Sequence, residues 1–204
     1  SRALGVPVRV FRGSDYAAQL VASFGLCESG RFVVALKDSV VLFDPATGKS
    51  SPLATVSADR PTTRLNDGKV GPDGAFWVGS MDKRSKDREP IGSLYRVTPD
   101  GHVETMIGAA LRVSNGLAWS PDGRAMFHSD SSSRWIARWD FDPATGRIDN
   151  RREIVSDIAD ADGRPDGAAM TAAGDYLSAG ISGGLLNRWS PEGTLVERVP
   201  FPAP

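Results

Sequence analysis

The apolar residues of this chain occur in short runs separated by glycine and proline turns. No window of eleven or more residues places apolar side chains at i, i+3, i+4 and i+7 without an interrupting Gly or Pro, so the pattern does not predict helices. Runs rich in β-branched and aromatic residues lie at 32–36, 40–43, 76–78, 94–97, 136–139 and 185–189. Turn sequences such as Pro72-Asp73-Gly74 bound them. The chain is therefore predicted to be all-β: a sandwich, a barrel or a propeller.

An internal repeat distinguishes among these three folds. The segment Asp44-Pro45-Ala46-Thr47-Gly48 recurs unchanged at 142–146, which is 98 residues further along the chain. Four turn glycines follow about half that period, with successive spacings of 44, 49 and 51 residues: Gly30, Gly74, Gly123 and Gly174. Units of this length with about four short strands each are typical of propeller blades. The sequence therefore predicts a β-propeller with about four recognisable blades.

Three polar residues share one position in this repeat. Eight residues before the turn glycine stand Asn66, Asn115 and Asp166, whereas the first unit has Ala22 there. Equivalent positions of successive blades face the same end of the central channel, so the three side chains are predicted to converge and could hold a hard divalent cation through oxygen atoms. The absence of Cys and His at these positions argues against a thiolate or imidazole zinc site. The alternative is that Asn-Gly and Asp-Gly dipeptides recur here for structural reasons alone.

Composition and charge narrow the choice of partners. The 204 residues carry 24 Lys plus Arg and 25 Asp plus Glu, a formal net charge of −1, which gives no electrostatic case for nucleic acid or an anionic membrane as partner. Charge-free stretches such as 176–187 are too short to span a bilayer. The single cysteine, Cys27, excludes an internal disulfide, reads as a core residue and fits a reducing compartment, so we predict a cytoplasmic location.

Three motifs, in the correct order, resemble the senescence-marker-protein/gluconolactonase family, also called the regucalcin family. The motifs are the stretches 64–81, 114–123 and 163–169, and the segment 141–152 fits the connection between the last two. The resemblance implies a six-bladed propeller that carries one divalent metal ion (Ca²⁺, Mg²⁺, Mn²⁺ or Zn²⁺) at the channel mouth. The fold class is accordingly predicted as all-β, with about four blades of a six-bladed propeller in this chain.

The resemblance also implies roles for four residues. Asn115 would be a neutral metal ligand, Asp166 both a metal ligand and the catalytic acid/base, and Arg64 and Asn66 would contact the substrate. Family members open sugar lactones, and some open organophosphate esters. We therefore predict a metal-dependent hydrolase of sugar lactones in which Asp166 takes a proton from a metal-activated water. Without the resemblance, an ion pair with Asp67 or with an acid of another blade is an equal alternative for Arg64.

Two departures from the family pattern leave a non-catalytic binding scaffold as the alternative function. The family has a further metal-ligand Glu near its N-terminus, but Glu28 aligns here with a hairpin turn and is expected to be solvated. Some members have a substrate-contacting Glu where this chain has Arg84, inside the charged run 82–89, which we expect to be a solvated loop or a lid. The chain is expected to form one propeller domain over 1–204 that lacks its first and last blade segments, and its oligomeric state stays open.

Other polar residues are predicted to be structural. His128 is expected to be a satisfied polar residue of a strand rather than a base, and Asp130 is expected to bond the blade backbone near the channel. The stretch 160–163 lacks the downstream Glu of a twelve-residue calcium loop. The serines at 131–133 lack a Gly-x-Ser-x-Gly elbow, which argues against a serine hydrolase.

Overall fold

The computed structural model describes residues 20–57 and 62–201, which fold into sixteen β-strands in four antiparallel sheets. Residues 1–19, 58–61 and 202–204 of the predicted 1–204 domain lie outside the described residues. No helix in the described ranges is long and apolar enough to cross a membrane. The all-β prediction is confirmed.

Each sheet is a four-stranded meander whose strands follow one another in the chain. The first contains β1 (Ser23–Leu26), β2 (Phe32–Ala35), β3 (Ser39–Asp44) and β4 (Lys49–Thr55). The second contains β5 (Thr63–Val70), β6 (Phe76–Asp82), β7 (Gly92–Val97) and β8 (Val103–Leu111). The third contains β9 (Ser114–Trp119), β10 (Ala125–Asp130), β11 (Trp135–Phe141) and β12 (Ile148–Val155). The fourth contains β13 (Pro165–Met170), β14 (Tyr176–Gly180), β15 (Leu185–Trp189) and β16 (Leu195–Pro200), after a short 3-10 turn at Asp160–Asp162.

The four sheets are the four predicted blades. The first strands of neighbouring blades contact one another in chain order, β1 with β5, β5 with β9 and β9 with β13, so these are the inner strands. The turn glycines used to define the period all have a positive φ, which glycine adopts without strain: Gly30, Gly74, Gly123 and Gly174. Each closes the hairpin after an inner strand, so the residue register predicted for the blades is confirmed.

The core lies between neighbouring blades rather than within one blade. One apolar cluster joins blades one and two, a second joins blades two and three, and a third joins blades three and four. In the second cluster the rings of Trp77, Trp119 and Phe141 meet edge to face at centroid distances of 5.7–6.0 Å. Cys27 is only half-buried and packs at the margin of the first cluster, so its predicted core position is correct in part.

The two end blades carry the large apolar side chains that remain exposed. In the described residues these are Leu20, Val21, Phe24 and Leu26 at the first blade, and Ile181, Val196, Val199 and Phe201 at the fourth. Blades two and three have a neighbour on each side, and they bury their large apolar residues. The end blades therefore present apolar surface because the described residues supply a neighbour on one side only.

Asp130 holds the loops around the third blade. Its carboxylate is fully buried and accepts hydrogen bonds from the backbone N–H groups of Arg112 (2.7 Å), Val113 (3.2 Å), Ser132 (2.9 Å) and Ser133 (2.9 Å). Four donors satisfy a charge that would otherwise be costly to bury. This is the backbone-binding role predicted from the sequence.

Replacing Asp130 by Ala is expected to lower the free energy of unfolding by roughly 3 kcal/mol or more, because four buried amides lose their acceptor at once. Urea unfolding followed by circular dichroism measures the change. Asp122→Ala is the matched control: Asp122 accepts a backbone bond from Arg124 at 3.0 Å but is exposed, so the loss there should stay below about 1 kcal/mol. Equal losses in the two variants would contradict this role of Asp130.

Candidate functional site

The inner strands of blades two, three and four lose regular pairing at the same level. In each, two residues stand opposite one residue of the next strand, which is the pattern of a β-bulge. The bulged residues are 66–67 opposite Gly79, 116–117 opposite His128, and 166–167 opposite Ala179. The inner strand of the first blade pairs without a shift, and it is the blade with Ala22 at the repeat position. Bulges redirect side chains, so polar residues at this level leave the regular alternation of the strand.

The Asn-Gly and Asp-Gly dipeptides are therefore not turns between strands but parts of these bulged strands. Gly116 has φ +64°, and a Cβ atom there would lie 2.2 Å from Tyr176 Oη and 2.5 Å from Ser129 Oγ. The glycines of these dipeptides have a structural role, as the alternative interpretation proposed, because they allow the backbone to pass close to neighbouring side chains. This role is compatible with a functional site, because the same bulges position the polar side chains.

Side chains satisfy the backbone groups near the bulges, and most of these bonds cross between blades. The bonds are Asn66 Nδ2 to Ser114 O (3.0 Å), Asp67 Oδ2 from Leu117 N (3.1 Å), Lys69 Nζ to Ala168 O (2.9 Å), Ser131 Oγ to Pro165 O (2.5 Å) and Tyr176 Oη to Gly116 O (2.7 Å). Gly116 and Leu117 lie in the bulge of blade three, where irregular pairing would leave backbone groups without a partner, and Tyr176 and Asp67 bind these groups. The polar side chains consequently tie the inner strands of blades two, three and four together.

Asn115 and Asp166 are in direct contact across blades three and four. Asn115 Nδ2 donates to Asp166 Oδ1 and also to Ser131 Oγ at 3.0 Å. Asn115 is buried, whereas Asp166 is half-buried, and its Oδ2 has no hydrogen-bond partner among the described residues. The two residues predicted as metal ligands therefore meet at one point, with one carboxylate oxygen left open.

Asn66 and Arg64 lie beside this pair on blade two. Asn66 Oδ1 accepts a hydrogen bond from Arg64 Nη1 at 3.1 Å, and the same nitrogen donates to Leu65 O at 2.9 Å. The expected alternative of an ion pair with Asp67 is wrong, since Arg64 makes no ion pair within residues 20–57 and 62–201. Asn66 also bonds the carbonyl oxygen of Ser114, the neighbour of Asn115, so it is connected to the Asn115–Asp166 pair through the backbone of β9.

Asp67 is a residue of this site that the repeat register did not single out. Burial raises the pKa of Asp67, the nearby carboxylate of Asp166 raises it further, and the Leu117 N–H and Lys69 oppose the shift. Burial also lowers the pKa of Lys69. The equivalent positions in blades three and four are Gly116 and Gly167, which have no side chain, so the repeat pattern does not mark this position as polar. The role of Asp67 follows instead from its contacts with another blade.

His128 lies behind the site and is kept neutral. It is fully buried, its Nε2 is 2.8 Å from Ser114 Oγ, and its Nδ1 has no partner among the described residues. Burial lowers the pKa of His128 to about 3, and the charge of Arg151 contributes in the same direction. The predicted structural role is therefore correct for one ring nitrogen, while the other is left unsatisfied. A ring with this pKa is a poor base near neutral pH.

The charged run at 82–89 is an exposed loop held down by one buried acid. Arg84 pairs with Asp82 at 2.5 Å and with Glu89 at 3.2 Å, and the Glu89 N–H donates to Asp82 at 2.8 Å. The hydrogen bond from Arg84 is the main cause that holds the pKa of Asp82 well below its usual range. The expectation of a solvated loop holds for 83–87, but Asp82 itself is buried, and Arg84 points to these acids.

The chemistry of the Asn115–Asp166 pair fits a hard divalent cation, which prefers carboxylate and amide oxygens. In the described part of the chain no group of three or more His, Cys, Asp and Glu side chains could hold a metal ion. Asn115 and Asp166 would thus supply two ligands, and a complete coordination shell needs further oxygens. Glu28 lies exposed in the β1–β2 turn, as expected. Asp162 pairs with Arg198 instead of contributing to a calcium loop.

A cleft of about 400 Å³ lies away from this pair, between the hairpin turns of blades three and four. Its lining includes Ser120, Asp122, Arg124, Arg138 and Gly174. It contains none of the repeat-position residues, because hairpin turns and bulges lie at different levels of the inner strands. We therefore assign the candidate site to the bulges and not to this cleft.

Comparison with known proteins gives a consistent set of matches. A family model described as the SMP-30/gluconolactonase/LRE-like region matches residues 10–204. A 6-deoxy-6-sulfogluconolactonase of Pseudomonas putida is 37% identical over 179 residues, 88% of this chain and 60% of the relative. Regucalcin of Xenopus laevis is 32% identical over 186 residues, 89% of this chain and 62% of the relative.

A solved structure agrees with these sequence matches. The crystal structure of regucalcin from Agrobacterium tumefaciens, described as a calcium-binding protein, aligns with a TM-score of 0.78 and 27% identity. The alignment covers 88% of this chain and 59% of that protein. The chain thus spans about 60% of the length of the relatives it matches.

The buried neutral state of His128 predicts a pH dependence of stability. The unfolded chain binds a proton at His128 near pH 6.5, whereas the folded chain binds it only near pH 3, so unfolding takes up a proton between these values. As the pH is lowered from 6 to 4, the free energy of unfolding of the wild type should fall by roughly 1 kcal/mol per pH unit relative to that of a His128→Gln variant. Urea unfolding at several pH values measures it. His102→Gln, an exposed control, should keep the wild-type pH dependence. Parallel curves for wild type and His128→Gln would show that His128 does not contribute.

Proposed function

The chain belongs to the SMP-30/gluconolactonase/LRE-like family, and from this premise we propose that it carries the active site of a divalent-metal-dependent hydrolase that opens sugar lactones. The observation that supports the proposal most strongly is the contact between Asn115 and Asp166 at the bulged level of neighbouring inner strands. A relative with 37% identity is named as a lactonase of a sulfonated gluconolactone, which supports the same reaction class.

Asp166 is the proposed base. Lactone hydrolysis needs a water molecule that loses a proton as it attacks the carbonyl carbon, and a carboxylate within hydrogen-bond reach can take that proton. Asp166 Oδ1 is held by Asn115, which orients the carboxylate, while Oδ2 has no partner among the described residues. Half-burial leaves this oxygen accessible to water. Asn115 therefore orients the carboxylate of Asp166, and Asp166 Oδ2 is the oxygen that accepts the proton.

Asn115 and Asp166 are also the residues that would hold the metal ion. When bound, a divalent ion supplies Lewis acidity, which polarises the lactone carbonyl and lowers the pKa of a bound water. Asn115 is neutral, so it adds an oxygen ligand without adding a charge that would compete with Asp166 for protons. Ser131 braces Asn115 through the 3.0 Å bond and itself donates to Pro165 O, which fixes the start of the strand that carries Asp166.

Arg64 is the proposed substrate-binding residue. Its Nη1 is used by Leu65 O and Asn66 Oδ1, whereas its Nε and Nη2 have no partner within the described ranges. Burial lowers the pKa of Arg64, and Arg88 contributes, yet a guanidinium stays charged at any working pH. The free edge of the guanidinium can therefore donate to the oxygens of a lactone, while Asn66 keeps it in place.

Replacing Asp166 by Asn is expected to lower kcat for lactone opening by about 10²–10⁴-fold, because the amide cannot accept a proton from water. Acid release from δ-gluconolactone is measured with Mg²⁺, Ca²⁺, Mn²⁺ or Zn²⁺ and again after EDTA, and wild-type turnover should stop with the chelator and return with metal. Asp142→Asn, which changes a half-buried turn carboxylate outside the site, is the control and should keep full activity.

Unfolding curves check that both variants remain folded. Wild-type turnover that survives EDTA, or an unchanged rate in Asp166→Asn, would contradict the proposed mechanism. A folded, metal-loaded protein that opens no lactone would instead support the alternative of a binding scaffold.

A further inference from the structure

Two arginines at one edge of the site have no acidic partner. Thr63 pairs with Asp82 between β5 and β6, so the loop that follows Asp82 lies at the same end of the blade as Arg64. Arg88 belongs to this loop. In the described residues neither Arg64 nor Arg88 forms an ion pair, although the loop is rich in acids. Neither guanidinium group therefore has a direct acidic partner within the described ranges.

Two of the three acids at 82–89 are committed to Arg84. Arg84 occupies both Asp82 and Glu89, and Asp82 also accepts the N–H groups of Arg84 and Glu89. Asp87 is exposed and makes no ion pair in the described part of the molecule. Arg84 thus forms the ion pairs of the loop's described residues, and Arg88 takes part in none of them.

Arg88 is less exposed than the loop residues before it and is anchored to the end of β6. It is half-buried, whereas residues 83–87 before it are exposed. Its Nε donates to Asp82 O at 3.3 Å, which anchors the side chain through a neutral group, and its two terminal nitrogens have no partner among the described residues. An anchored arginine with free terminal nitrogens has lost much of its rotamer freedom before any ligand binds.

The two arginines are anchored next to each other, because Thr63, the neighbour of Arg64, pairs with Asp82, and the carbonyl oxygen of Asp82 accepts the Arg88 Nε bond at 3.3 Å. Burial lowers the pKa of Arg64, and the charge of Arg88 lowers it further, which is the sign of repulsion between like charges. An anion that contacted both groups would remove this repulsion and receive charge-assisted hydrogen bonds from two planar donors. A neutral sugar hydroxyl would leave the repulsion in place.

We propose that Arg64 and Arg88 together bind an anionic substituent of the lactone, a sulfonate, carboxylate or phosphate, so that acidic sugar lactones are preferred over neutral ones. This inference rests on the proposed lactonase function and names its substrate class. Arg88 is the residue assigned to this preference, because it lies on the loop, whereas Arg64 is held by Asn66 beside the Asn115–Asp166 pair.

The test compares neutral and anionic lactones in wild type and Arg88→Gln. The substrates are δ-gluconolactone and its 6-deoxy-6-sulfo, 6-phospho and 6-carboxylate analogues at one fixed ionic strength. Wild type should show a kcat/KM at least about tenfold higher for one of the anionic lactones, and Arg88→Gln should lose this advantage through KM with kcat unchanged. Lys86→Gln, which removes an exposed cation from the same loop, is the matched control and should keep the preference.

A binding measurement keeps the inference testable if no lactone is opened. Calorimetry with the neutral δ-lactam of gluconate and with its 6-sulfo, 6-phospho and 6-carboxylate forms, which resist hydrolysis, should show a Kd about tenfold or more lower for one of the anionic lactams, and only in proteins that retain Arg88. Anion-dependent binding without turnover would support the subsite and refute the lactonase function. Turnover with equal kcat/KM for neutral and anionic lactones would refute the subsite and leave the function standing. An equal loss for all lactones in Arg88→Gln would also overturn the inference.

Discussion

The structure depends on one constraint: where an inner strand bulges, backbone groups lose their sheet partners and must find others. A buried carbonyl or N–H without a partner costs as much as a lost hydrogen bond, so these groups recruit side chains, mostly from neighbouring blades. Asp67, Lys69 and Tyr176 each reach the inner strand of another blade in this way. The bulges are thus the points at which blades two, three and four are joined by polar bonds, in addition to the apolar clusters between them.

The same constraint creates the site. Asn66 and Asp166 stand in bulges and Asn115 directly before one, where side chains leave the regular alternation of the strand and polar bonds between blades hold them in place. Asn115 meets Asp166 because Ser131 links Asn115 to the start of β13 through Pro165. The first blade shows the converse, since β1 pairs regularly and offers Ala22 at this level. Architecture and candidate chemistry therefore share one cause, which explains why turn-like dipeptides mark the site residues.

The fold and part of the site are predictable from the sequence because they follow from local and periodic signals. The turn after each inner strand requires a positive φ and therefore a glycine such as Gly74, so the spacing of these glycines reveals the blades. Asn66, Asn115 and Asp166 each lie eight residues before one of them. The rest depends on contacts between distant segments. Asp67 has only glycines at its equivalent positions. The sequence also does not show that Arg84, rather than Arg64 or Arg88, pairs with Asp82 and Glu89.

The central claim is that Asn115 and Asp166, at the bulges of adjacent inner strands, are the two ligands that this part of the chain gives to a catalytic divalent ion. The most direct measurement is an anomalous difference map from crystals of the protein grown with Mn²⁺. We expect a single strong peak within about 2.0–2.6 Å of Asn115 Oδ1 and of one carboxylate oxygen of Asp166. A map with no peak at this pair, or with its strongest peak bound to other residues, would contradict the account.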